Sequence, residues 1–116
     1  MWCYEDSEMD ELRRTLNKFP GVSSYEWCWG HNKWPVMVRF TVERIKNIDP
    51  ILAALADITP DSIETEKESC WSLEVENPFG LGDYAFRLRG PIIEEADLPD
   101  LLPTLLLALR RRRKAL

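Results

Sequence analysis

One histidine, five glycines and three cysteines are spread over 116 residues, and each scarcity narrows what the chain can do. The single histidine, His31, excludes mechanisms that need two, including most catalytic zinc centres. The cysteines Cys3, Cys28 and Cys70 are odd in number and no C-x-x-C occurs. Neither a disulfide framework nor a zinc ribbon is therefore expected, and a reducing cytoplasm fits best. No glycine-rich strand-to-helix turn of the nucleotide-cofactor type is present. The longest apolar stretch, Leu98 to Leu109, carries Asp100 and two prolines and is too short to span a bilayer. The first residues lack the basic start and apolar run of a signal peptide.

Positive charge is also scarce, and unevenly placed. Fifteen basic residues face twenty acidic ones, for a net charge of −5. Five of the fifteen are Arg110, Arg111, Arg112, Arg113 and Lys114, so the rest of the chain holds ten basic against twenty acidic residues. Such a surface excludes general nucleic-acid binding, which needs a basic face to neutralise phosphates. The basic run reads first as a helix C-terminus complementing the macrodipole. What the chain does have is apolar material: 45% hydrophobic residues and five tryptophans, enough for one core and one domain, residues 1–116, without metal or disulfide support.

The apolar spacing predicts seven elements. Met9, Leu12, Leu16 and Phe19 recur at helical spacing behind Ser7 as a cap, and Pro20-Gly21 ends that helix. Val22 to Trp29 reads as a strand, Gly30 to Pro35 as a loop, and Val36, Val38, Phe40 and Val42 alternate as the inner face of a second strand. Asp49-Pro50 reads as an N-cap with proline at the first helical position, followed by a stripe of Ile51, Leu52, Leu55 and Ile58. An acidic linker, Asp61 to Ser69, precedes a second hairpin. Its inward residues are Trp71, Leu73 and Val75 on one strand and Tyr84, Phe86 and Leu88 on the other, across the turn residues Asn77 to Asp83. A final helix spans about Asp100 to Lys114 with Leu102, Leu105, Leu106 and Leu109 inward. The order αββαββα implies an α+β fold, an antiparallel four-stranded sheet with helices packed on one face.

Side-chain chemistry sets the hairpin registers. Placing Trp29 opposite Val36 puts Trp27 opposite Val38 and Tyr25 opposite Phe40 on the apolar side, with Glu26 facing Arg39 and Ser24 facing Thr41 on the polar side. Pairing Val75 with Phe86 sets Glu74 opposite Arg87 and repeats the arrangement.

The densest chemistry lies at the mouth of the first hairpin. Cys28 and His31 form C-x-x-H beside Trp27, Trp29, Asn32, Lys33 and Trp34. A nucleophilic Cys28 would need His31 to lower its pKa. A metal would take Cys28 and His31, with Cys3 or Cys70 completing the set. A ligand site would use the tryptophan faces and the donors of the Gly-His-Asn-Lys turn, which suit a base or nucleotide. The plainest alternative makes Trp27 and Trp29 core and His31 and Asn32 ordinary turn residues.

Pro20-Gly21-Val22, Cys28, Gly30 and His31 resemble a P-G-I-x-T-x-x-S-C-x-G-H motif of a small uncharacterised family of phage and bacterial proteins. The resemblance runs from about Leu12 to the last helix, through the second strand, Trp71 to Val75, and Phe86 to Pro91. More distantly, the cysteine-glycine core is similar to that of the small tRNA wybutosine-synthesising methyltransferases, which use S-adenosylmethionine. Trp27 stands where both families carry serine, and His31 where the methyltransferase type carries arginine.

Three functions are consistent with these residues. The first is a phage-type, non-catalytic protein that captures a small nucleotide-like ligand, such as a host-defence signal, through Cys28, Trp29, His31, Asn32, Lys33, Trp34, Arg39 and Arg87, with no metal and no cofactor. The second, implied by the distant resemblance, is an S-adenosylmethionine-dependent RNA-modifying enzyme. The third is a protein-interaction or inhibitor module. Leu101, Leu105 and Leu107 exceed what one buried stripe needs, and so point to a homo-oligomer through the last helix.

Overall fold

The computed structural model describes residues 6–58, 71–76 and 84–116. Its elements are α1 (Asp10–Asn17), β1 (Val22–Cys28), β2 (Met37–Val42), α2 (Asp49–Ile58), β3 (Ser72–Glu76), β4 (Tyr84–Arg89) and α3 (Leu98–Lys114). Short 3₁₀ turns at Ser7–Met9, Ile45–Ile48 and Glu95–Asp97 lead directly into the three helices. The strands form one antiparallel sheet in the order β1-β2-β4-β3, so the fold is α+β as the patterning implies. The linker and the Asn77–Asp83 turn read from the sequence lie outside the described residues.

Strand alternation creates the two faces. Val38, Phe40 and Val42 of β2 are buried to 1% exposure or less, and Phe86 and Leu88 of β4 join them. Phe40 pairs directly with Phe86, their rings stacked with centroids 5.9 Å apart. The helices cover this face with Met9, Leu12 and Leu16 from the first helical region, Ile51, Ala54 and Leu55 from α2, and Leu102, Leu105, Leu106 and Leu109 from α3. Among the described residues, no helix is long and apolar enough to cross a membrane.

Local chemistry departs from the sequence reading at five places. Ser7 does not cap the first helix: no side-chain bond closes that terminus, and the nearby Asp6 carboxylate is turned toward Trp29 and His31. In β1 a bulge at Tyr25 shifts the register, so Ser24 faces Phe40 and Ser23 faces Thr41, while Trp27–Val38 and Glu26–Arg39 hold as expected. The bulge leaves Tyr25 45% exposed instead of packed on Phe40.

Asp49 has helical angles and is no cap, because the preceding 3₁₀ turn already starts the helix; the Asn47 side chain accepts the Arg44 N–H at 2.9 Å instead. Within α2, Leu52 is exposed and Ala54 takes its place in the buried stripe, which lets α2 approach α3 closely. Val75 and Tyr84 sit on the helix side of the sheet yet remain exposed, since the described helices cover β1, β2 and the Leu88 end of β4. At that covered end Gly90 is under the Trp71 ring. A Cβ there would lie 3.0–3.2 Å from the ring carbons, so only glycine lets Trp71 pack flat.

Candidate functional site

The sheet face turned away from the described helices carries a charge ladder, with Glu26 itself buried at 6% exposure. One row crosses all four strands as Glu26, Arg39, Arg87 and Glu74, each directly opposite the next. Arg39 donates to Glu26 at 2.9 Å, and its Nε lies 3.3 Å from Glu76, close enough for attraction but poorly aligned for a hydrogen bond. Arg87 donates to Glu74, and Arg89 reaches the other oxygen of the same carboxylate at 3.2 Å. These two guanidiniums hold the Glu74 carboxyl below its ordinary range, and Glu74 in turn raises the Arg87 pKa. Arg39 and Arg87, read from the sequence as ligand-binding residues, thus lie on this face with carboxylates already bound to them.

The next row on the same face is Cys28 opposite Met37 opposite Arg89. Beyond Cys28 the chain leaves the sheet through Trp29 and Gly30 into the loop. Gly30 has φ +91°, His31 +52° and Asn32 +62°, three consecutive residues in left-handed backbone. For two non-glycine residues this conformation costs on the order of 1 kcal/mol or more each. The turn is closed by the Gly30 carbonyl, which accepts from the N–H groups of Lys33 and Trp34 at 3.1 and 3.0 Å. On its far side, Val36 exchanges backbone hydrogen bonds with Gly90 and Pro91, extending the β2–β4 ladder by one step. Both ends of the loop are therefore anchored.

Asp6 ties the loop to the sheet edge. β1 is an edge strand, and the Asp6 N–H donates to the Trp27 carbonyl at 3.4 Å while its carboxylate accepts the Trp29 N–H at 3.0 Å. A polar residue thereby occupies two groups of the strand's free edge. The same carboxylate oxygen lies 3.1 Å from His31 Nε2, and the imidazole rests against Trp29 with ring centroids 4.5 Å apart. The left-handed turn folds His31 back beside Asp6 and Trp29 while leaving its side chain half exposed.

The tryptophans divide. Trp27 and Trp29 are buried, at 8% and 7% exposure, and the Arg13 guanidinium covers the Trp27 ring at 4.4 Å. Trp34 is 58% exposed, with His31, Asn32 and Lys33 exposed beside it. Nothing in the residue pattern points to Asp6; its part follows from the edge position of β1, and strand order is not written in hydropathy.

Cys28 corrects one expectation. Its sulfur is in a disulfide whose partner lies outside the described residues, whereas the odd cysteine count and reducing location implied free thiols. In that state the sulfur is no nucleophile. The Gly30 N–H points at it from 3.3 Å.

Two clefts lie away from the loop. One of about 500 Å³ runs between α2 and α3 beside Asp57 and Arg111; another of about 470 Å³ lies between Trp71, Ile92 and Leu101, with Asp97 and Asp100 on its rim. Comparison with protein-family profiles, curated proteins and solved structures gives no match.

Proposed function

We propose that the chain is a non-catalytic binding protein that captures a small nucleotide-like ligand at the Gly30–Pro35 loop. The observation that carries this reading is the exposed Trp34 beside Lys33 on a loop held in consecutive left-handed residues and anchored at both ends. A half-exposed indole on a rigid support offers a stacking face at little ordering cost, and every nucleobase presents a matching face. Lys33 supplies the local positive charge that an acidic protein needs to attract a phosphate. Asn32 adds an amide whose donors and acceptor suit a base edge. Arg39 and Arg87 are committed to Glu26, Glu76 and Glu74, so phosphate recognition falls to Lys33 in this reading.

Capture without turnover agrees with a Cys28 whose sulfur is in a disulfide and a chain with one histidine. Together with the phage-family resemblance, it favours sequestration of a signalling nucleotide. The test is calorimetric titration with cyclic dinucleotides, NAD-derived nucleotides and S-adenosylmethionine. One nucleotide class should bind, and Trp34→Ala should weaken it by about tenfold to a hundredfold, the loss expected for one stacked base. Lys33→Ala should weaken it further as salt is lowered. Silence across the panel ends this reading, and binding of S-adenosylmethionine alone would favour an RNA-modifying enzyme.

A further inference from the structure

Outside ligand capture, one cluster joins three different metal-ligand chemistries at a single point. The Asp6 carboxylate, the Cys28 sulfur and the His31 imidazole each offer one donor atom, and all three donors lie within 4.8 Å of one another. We propose that Asp6, Cys28 and His31 form a redox-gated site for a zinc-class divalent cation, closed while Cys28 is held in its disulfide and opened when a dithiol reduces that bond.

The geometry matches the cation. A tetrahedral zinc with bonds of about 2.0–2.3 Å sets its donors roughly 3.3–3.7 Å apart. Asp6 Oδ2 and His31 Nε2 are already 3.1 Å apart, so a small opening admits the ion between them. One sulfur, one nitrogen and one oxygen make a donor set that zinc accepts and that calcium or magnesium, which seek oxygen alone, do not. Supporting contacts are also present. The Trp29 N–H fixes the carboxylate oxygen at 3.0 Å, and the Gly30 N–H points at the Cys28 sulfur from 3.3 Å, the contact that stabilises a metal-bound thiolate. The left-handed turn at His31 and Asn32 places the imidazole back over Asp6, which gives the backbone strain a structural purpose. With three protein ligands and a His31 side chain 49% exposed, the fourth position opens to solvent.

The gate follows from sulfur chemistry. A disulfide sulfur carries no negative charge and does not hold zinc as a thiolate does. Reduction by a dithiol transfers two electrons to the protein disulfide, giving two protein thiols and the cyclic disulfide of the reductant. Cation binding then displaces the Cys28 thiol proton to solvent and forms the metal–sulfur bond.

The experiment uses cobalt(II) as a spectroscopic stand-in for zinc, added to the full chain either oxidised or reduced with dithiothreitol and desalted without oxygen. The reduced protein should bind one cobalt with a thiolate-to-metal charge-transfer band, which one equivalent of zinc abolishes, and the oxidised protein should show no band. Cys28→Ser should lose the band, and Asp6→Asn and His31→Ala should each weaken cobalt binding at least tenfold, with circular dichroism confirming that the variants fold. Of Cys3→Ala and Cys70→Ala, the one that removes the disulfide partner should bind cobalt without reductant. A band that persists in Cys28→Ser, equal binding in both redox states, or a reduced chain that unfolds or binds no cobalt would each overturn the proposal. Nucleotide titrations of the oxidised protein are independent of all these readouts.

Discussion

At the scale of single residues, Gly30 decides whether the loop exists in its present shape. A Cβ on it would lie 1.9 Å from the Trp34 carbonyl oxygen, a backbone atom that cannot yield without opening the turn. Its φ of +91° is also one that L side chains rarely adopt. Gly30→Ala should therefore cost about 3 kcal/mol or more, combining a backbone clash with loss of the two hydrogen bonds that close on the Gly30 carbonyl. Urea denaturation measures it: the midpoint should fall with an unchanged m-value. A midpoint equal to wild type would mean that the loop opens freely, and the rigid support for Trp34 would be lost as an argument. Trp34 itself, 58% exposed, makes no such contribution. Trp34→Ala should leave the denaturation midpoint within about 0.5 kcal/mol of wild type while weakening ligand binding.

At the scale of elements, α3 separates a core position from a surface one two residues away. Leu105 is fully buried and Leu107 is 50% exposed, so the two leucines grouped by the sequence as surplus belong to different faces. Leu105→Glu places a carboxylate among Leu102, Leu106 and Leu109 and should cost at least about 4 kcal/mol, which would unfold the chain without reporting on assembly. Leu107→Glu is the informative change: monomer stability should stay within about 0.5 kcal/mol, and any self-association through α3 should disappear in sedimentation velocity.

The same contrast shows what was legible in the residues. Alternation along β2 was readable because one of its faces is fully buried, that of β4 only at Phe86 and Leu88, and the Glu26–Arg39 and Glu74–Arg87 pairs were readable because opposite charges face each other across a register. The Tyr25 bulge was not, since one extra residue changes no hydropathy period. Neither was Asp6, whose partners depend on which strand lies at the edge. His31, Asn32, Lys33 and Trp34 share one exposed loop, and the left-handed turn that brings the half-exposed His31 beside Asp6 carries only Gly30 as its signal in the sequence.

At the scale of the whole molecule, charge is distributed by surface. The sheet face turned away from the described helices balances Glu26, Glu74 and Glu76 against Arg39, Arg87 and Arg89, while the basic end of α3 is tied back by Arg110 to Glu11 of α1 and by Arg112 to Asp57 of α2. The tail read from the sequence as a macrodipole complement therefore also joins the three helices. These pairs set an acid limit. Glu74 has its folded pKa lowered by bonds to Arg87 and Arg89, so its stabilisation is complete above the unfolded value of about 4.3 and is lost as pH falls through the lower folded value. Asp57 follows the same sign through Arg112. Urea midpoints should thus stay level with respect to these groups between pH 7 and pH 5 and fall below about pH 4. Glu74→Gln should be less stable than wild type at pH 7 by under about 1 kcal/mol, because the pair is partly solvated, and the gap should shrink in high salt. Toward pH 3 the gap should shrink, because the unfolded chain takes up the proton that folded Glu74, with its lowered pKa, resists. A gap that stays constant from pH 7 to pH 3 would mean that glutamine disturbs packing on β3, and that the four-strand charge row contributes shape and not electrostatic stability.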